Sequence, residues 1–260
     1  FAAGVNAGNS IASGGNYNVV IGDEAGTALT TGDSNVAIGF EALKTEDAHG
    51  FNTAVGYQSL KTLNAGQEGY HTAVGYLAGT SMTTAFANTV IGGLAGDALT
   101  DGNNNTAVGV LALSADTSGA KNTAFGYGTL ETQNFTSSTD AYNTAVGFSA
   151  GNDITTGIQN TILGALAGDA LTDADTNVAI GVSALGADTK GNSSVAIGSS
   201  ALRLQNFTSS TDVYNVAIGR AAGENITTGI HNTLIGGLAG TNLTDADYNV
   251  AVGVGALDLD

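Results

Sequence analysis

Residues 52–60 read NTAVGYQSL. Seventeen residues earlier the chain reads NVAIGFEAL, and residues 249–257 read NVAVGVGAL. One glycine never changes among these copies, so its positions measure the repeat. It falls at Gly22, Gly39, Gly56, Gly75, Gly92, Gly109, Gly126, Gly147, Gly164, Gly181, Gly198, Gly219, Gly236 and Gly253. Every step is 17 residues except one of 19 and two of 21, and Gly4 fits as a further copy 18 residues before Gly22. A fixed period with small insertions is the signature of a solenoid. Seventeen residues cannot hold a helical hairpin, but they can hold one coil of a β-solenoid.

Within N-T-A-V-G the pattern has period two, which predicts a short strand in every coil. One phase is β-branched, as in Val36 and Ile38, Thr53 and Val55, or Val178 and Ile180. The other phase runs Asn, Ala, Gly. The Asn recurs in 12 of 14 copies, with His71 and Ser194 as the exceptions, and predicts an amide ladder at a corner. The invariant glycine predicts a corner with positive φ or a close approach of backbones. Small residues at the third place beyond it (Ala25, Ala42, Ala78, Ala95, Ala112) imply a thin coil. Stacked at about 4.8 Å, fifteen such coils would make an all-β parallel solenoid, a rod roughly 70 Å long.

A second rhythm lies above the first. Four residues beyond the key glycine the chain places Leu60, Gly79, Gly96 and Leu113, then Leu130, Gly151, Gly168 and Leu185, then Leu202, Gly223, Gly240 and Leu257. Where that site is Gly, an apolar residue follows three places later, as at Met82, Leu99, Ile154, Leu171, Ile226 and Leu243. Where it is Leu, the later site is usually polar, as at Asp116, Gln133 and Gln205. One core slot is thus expected to be filled from either of two backbone positions. The chain reads as one repeat domain, residues 1–260, with four-coil blocks at about 56–125, 126–197 and 198–260 after a partial block at 1–55.

Both phases of the strand are largely apolar, whereas a strand of a lone solenoid should bury one face and wet the other. One face is expected to line the coil and the other to meet a second chain, which favours a parallel homotrimer. Charging the β-branched face, as in Val178→Asp with Ile180→Lys, is expected to disrupt assembly or folding.

Composition narrows the function. Net charge is −17 with only six Lys and Arg, so neither nucleic acid nor an anionic membrane is an expected partner. No apolar run approaches the length of a membrane span, and no basic signal-peptide start is present. The absence of cysteine leaves the redox compartment open. The opening FAAGVNAG already belongs to the repeat, so the chain reads as a piece of something longer.

At these residues the chain resembles a known class. NVAIGFEAL and SVAIGSSAL (194–202) are similar to the S-V-A-I-G-x-x-A repeat in the heads of trimeric autotransporter adhesins. NTAVGYQSL also resembles repeats in bacteriophage tail-fibre proteins, especially those of aquatic hosts. The resemblance covers essentially the whole chain. It implies a left-handed parallel β-roll with three chains side by side, outside the cell on a surface appendage or a virion. The adhesin heads use shorter coils, so the extra residues here should lie in an outer loop. IGFEAL also fits the hexapeptide of acyltransferase β-helices, but those repeat it three times per coil and this chain only once.

Candidate chemistry is sparse. His49, His71 and His231 are the only histidines, and no Ser-His-Asp set recurs at a fixed place, so no enzymatic activity and no cofactor are expected. His71 reads as a corner residue in place of a ladder Asn. The loops LTDGNNN, LTDADTN and LTDADYN put Asp101, Asp173, Asp175, Asp245 and Asp247 at equivalent sites. Calcium, which wants six to eight converging oxygens, is the one ion they could take, and only as one ion per loop. Solvated turns are the simpler reading. Phe40, Tyr57, Tyr76, Tyr127 and Phe148 follow the key glycine as an aromatic ladder, read as structural. The insertion loops with Phe135, Tyr142, Phe207 and Tyr214 are the better candidates for ligand contact, because loops carry function more often. The expected role is a structural shaft of an extracellular fibre or adhesin, with a host receptor or glycan as possible further partner. A monomeric glycan- or ice-binding solenoid is the alternative.

Overall fold

The structure, a computed structural model, describes residues 2–258. It divides into two compact units, one running to Tyr127 and including Asn134–Asp140, the other comprising Gly128–Gln133 and the chain from Ala141 onward. Each unit is a parallel β-solenoid with the 17-residue period read from the glycines, and no helix occurs among the described residues.

The first unit stacks eight strands in sequence order, from Ala2–Ala3 and Val19–Ile21 through Val36–Ile38, Thr53–Val55, Thr72–Val74, Thr89–Ile91 and Thr106–Val108 to Thr123–Phe125. The second stacks seven, Thr144–Val146, Thr161–Leu163, Val178–Ile180, Val195–Ile197, Val216–Ile218, Thr233–Ile235 and Val250–Val252. Register is strict, so Ala37 pairs Ala54 and Ala54 pairs Ala73, even across the coil of 19 residues. The extra residues of the long coils lie outside, with Gly66–Glu68, Thr136–Ser138 and Thr208–Ser210 exposed. Two short pairs close the longer insertions, Gly119–Ala120 with Thr139–Asp140 and Gly191–Asn192 with Thr211–Asp212.

The strand turns its Asn–Ala phase inward and its β-branched phase outward. Ala37, Ala54, Ala179 and Ala196 are fully buried, whereas Val36, Ile38, Val178 and Ile180 are half-buried. The core is accordingly thin: one inward strand residue, usually Ala but Val20, Val90, Ile162 or Leu234 in some coils, one small residue beyond the key glycine, and one large residue in the slot. The large one comes from either predicted position: Leu43, Leu60, Leu113 and Leu185 on one pattern, Met82, Leu99, Ile154 and Leu171 on the other, all with no exposed surface. A Cβ on Gly96 would lie 2.9 Å from Leu99 Cδ1, so the two positions do share one slot. The reason is conformational. The fourth residue beyond the key glycine is left-handed in both patterns, φ +48° at Leu43 and +54° at Gly96. Leucine there offsets about 1–2 kcal/mol of left-handed strain with roughly 2 kcal/mol of burial. Glycine avoids the strain and leaves the slot to the later residue.

Candidate functional site

Most polar side chains inside the coil have structural partners. Asn35 Oδ1 accepts the backbone N–H of Asn52 at 3.0 Å, and its Nδ2 donates to the carbonyl of His49 at 3.1 Å. Asn88 repeats both bonds, to Asn105 at 2.8 Å and Gly102 at 2.7 Å. His71 imitates this pattern as a neutral imidazole. Nε2 lies 2.9 Å from the carbonyl of Ala85, and Nδ1 accepts the N–H of Asn88 at 3.3 Å. Burial holds its pKa below the ordinary value, so the corner reading of His71 stands and leaves no nitrogen for a ligand. Asn52 shows what an insertion costs. Its coil carries two extra residues, and its Nδ2 is buried without a hydrogen-bond partner.

Sequence reasoning missed the buried carboxylates. Glu46, Asp116 and Asp188 have no exposed surface, and each lies in the coil just before one with an insertion. Asp188 Oδ1 accepts the N–H groups of Gly191 and Phe207, both at 3.0 Å, and Oδ2 accepts Gln205 Nε2 at 2.6 Å. Asp116 Oδ1 accepts the N–H groups of Gly119 and Phe135 at 3.0 Å. Glu46 Oε2 takes the N–H of Ala65 at 3.1 Å, while Oε1 takes those of Asp47 and His49 at 3.2 Å. Each carboxylate therefore holds the next coil's insertion by its backbone. The signal that could have found them is the alignment of LNA at 63–65 with QNF at 133–135 and 205–207, one coil after an acidic residue.

This placement changes the standing of the four aromatic loop residues. Phe135 and Phe207 are buried under their loops, so these two side chains are not offered to a ligand. Tyr142 and Tyr214 are exposed, and Tyr214 stacks on His231, which stacks in turn on Tyr248. In the first unit the ladder after the key glycine forms over three coils, Phe40 on Tyr57 at 5.3 Å and Tyr57 on Tyr76 at 5.5 Å.

The five loop aspartates do not converge. Asp175 and Asp247 each accept a backbone N–H of the preceding coil, from Ile158 at 2.7 Å and Ile230 at 2.8 Å. Asp173 faces Lys190 at 3.4 Å, and Asp101 and Asp245 accept the hydroxyls of Thr100 and Thr244. Glu46, Asp47 and His49 are the one group of three ligand types within 4.8 Å among the described residues. Glu46 there is committed to backbone amides, as Asp116 and Asp188 are with no histidine beside them. The cluster reads as a loop anchor.

The few cations stitch coils together. Glu41 receives Lys44 and Lys61, both at 2.7 Å, and Gln58 Nε2 at 2.7 Å. These bonds, Lys44's first, hold its carboxyl at about 2. Lys121 pairs Asp140 and Arg203 pairs Glu224 in the same way.

What remains unpartnered is the outward strand face. Neither outward position is charged in any of the 14 copies. Leu163 is 46% exposed, and Ile218 and Ile235 are each 37%. No family model, curated protein or solved structure matches the chain. The class that the geometry defines is a parallel β-solenoid repeat protein with an uncharged outer ladder of largely β-branched residues, Thr at the first outward position in eight of the 14 copies.

Proposed function

We propose that the chain is a shaft or head segment of an extracellular fibre or adhesin, such as a phage tail fibre or similar surface appendage, formed by parallel association of three copies. The observation that supports this reading is the outward β-branched ladder. A row of partly exposed, uncharged β-branched side chains is the kind of surface a contact covers, and this one repeats once per coil. A partner that covers it along its length must repeat at the same pitch, and a second copy of the chain does. Buried on both faces, the strand becomes like those of sheets covered on each side. The role needs no catalytic group, cofactor or ion; it needs reach and rigidity, which stacked coils supply.

The native mass in solution tests this against the 25.6 kDa chain. Three chains are expected, and a stable monomer overturns the assembly. The monomeric reading has its own observation: Thr53, Thr72, Thr89, Thr106 and Thr123 form an outward rank over five successive coils. A monomer that also showed thermal hysteresis in freezing water would establish a surface-binding solenoid instead.

A further inference from the structure

We propose that the turn at residues 46–49 of the first unit binds one divalent transition ion of the zinc type through Glu46, Asp47 and His49. One oxygen of each carboxylate and one ring nitrogen lie within 4.8 Å of one another. Backbone anchoring accounts for Glu46, as it does for Asp116 and Asp188, but not for the two residues beside it.

The repeat supplies the comparison. Ten coils have 17 residues from one key glycine to the next, and the turn at the core slot reads EDAH at 46–49, DTSG at 116–119 and DTKG at 188–191. Its second residue is Thr in nine of the ten coils and Asp47 in the other. Its fourth is Gly or Ala in nine and His49 in the other. Both departures therefore fall in the one turn that also carries a glutamate. Each departure costs the coil something. The Thr hydroxyl at this place bonds a carbonyl of the next coil, as Thr117 and Thr189 do to Phe135 and Phe207, each at 2.7 Å. A carboxylate cannot donate that bond. A Cβ on Gly119 would overlap Asp116 Oδ2, and one on Gly191 would overlap Asp188 Oδ2. A histidine at the fourth place thus needs a different acid at the first, and Glu46 is that acid.

The donors suit a metal. His49 Nδ1 lies 3.2 Å from Glu46 Oε1, close to the edge of about 3.3 Å in a tetrahedron with zinc–ligand bonds near 2.0 Å. The Asp47 carboxylate is half-buried and has no hydrogen bond or ion pair among the described residues. Glu46 Oε2 stays on the N–H of Ala65 at 3.1 Å, while Oε1, whose own bonds are all 3.2 Å, is the oxygen for the ion. The turn is held from behind. The carbonyl of Asp47 accepts the N–H of Thr30 at 2.6 Å, and that of His49 accepts Asn35 Nδ2 at 3.1 Å. One imidazole nitrogen with two carboxylates is a set that zinc and its neighbours take, whereas calcium and magnesium prefer oxygen alone. Three protein ligands leave a fourth position for water, and the His49 side chain, 26% exposed, lies open to solvent.

The test is calorimetric titration of the full chain, stripped of metal with a chelator, with Zn²⁺ and separately with Ca²⁺ and Mg²⁺. One saturable Zn²⁺ site per chain is expected, about tenfold or more tighter than any response to Ca²⁺ or Mg²⁺. In proton–nitrogen spectra the His49 Nδ1 resonance should move on binding, while the ring proton stays on Nε2. Asp47→Thr and His49→Gly give the turn the residues of its counterparts, so both should keep the fold. Each should weaken Zn²⁺ binding by more than the roughly tenfold that loss of a mere supporting hydrogen bond costs. His231→Asn should leave binding unchanged. No saturable Zn²⁺ site, Zn²⁺ binding that survives both reversions or is lost with His231→Asn, or Ca²⁺ bound as tightly as Zn²⁺ would each overturn the proposal. The count is per chain, so it does not depend on how many chains associate.

Discussion

Gly56 has φ +140°, and a Cβ there would overlap the carbonyl oxygen of Gly75 in the next coil. Both of the reasons that the sequence suggested for an invariant glycine hold at once at Gly56, and all 14 copies share its positive φ, between 126° and 142°. Gly66, in the insertion, has φ +69° and nothing within 4 Å of its Cβ position. Gly56→Ala should therefore cost about 4 kcal/mol or more, because no local adjustment removes a backbone overlap. Gly66→Ala should cost only about 1 kcal/mol of left-handed strain. Denaturant unfolding of both variants checks the contrast, and equal losses would refute it. His71 gives a prediction in pH. Its folded pKa lies below 6.5, so just under that pH the unfolded chain takes up a proton that the folded chain refuses. Stability contributed by the neutral ring is complete above 6.5 and falls as pH drops through it toward the folded value. His71→Asn restores the ladder residue and should remove this component of the pH profile while leaving stability at pH 8 within about 1 kcal/mol. A variant with an unchanged slope below 6.5 would show that the slope has another source.

At the level of the element, the coil and its core slot were legible because apolar residues advertise themselves: Leu60 or the Gly79 and Met82 pair can be read from spacing alone. Insertions were not. A polar residue in a glycine-rich turn looks the same whether it faces water or core, so Asp188 and Gln205 gave no sign that they are buried. An aromatic in a loop is equally ambiguous, which is why Phe135 and Phe207 looked like contacts for a ligand. The network they belong to can be attacked at one atom. Asp188→Asn keeps the oxygen that serves Gly191 and Phe207 but turns an NH2 toward Gln205 Nε2. Gln205 cannot flip to meet it without giving up the bond from Asn215 Nδ2 to its Oε1, at 2.9 Å. About 2 kcal/mol should be lost, and lost locally. Hydrogen exchange at the Phe207 and Gly191 amides should quicken while that of the Val178–Ile180 strand stays slow. Unchanged exchange at Phe207 would remove the carboxylate's anchoring role.

For the molecule as a whole, the outward turn of the β-branched phase separates two effects that the sequence could not. Val178 and Ile180 flank Ala179, and only Ala179 points into the coil with no exposed surface. Charging the flanks should leave the coil's own core, its Asn ladder and its carboxylate anchors in place, since none of these uses the outward side chains. Charging the centre buries an unpaired ion, which a core this thin cannot relieve. Val178→Asp with Ile180→Lys is therefore expected to retain the circular dichroism of the folded chain while reducing its native mass to one copy. Ala179→Asp is expected to lose both. The pair of measurements isolates assembly from folding. If the doubly charged variant keeps a three-chain mass, the strand face is not where the copies meet, and the contact must be sought among the turns. If it unfolds as Ala179→Asp does, the coil has no stable existence outside the assembly, and the apolar ladder is as much a part of the core as the alanines behind it.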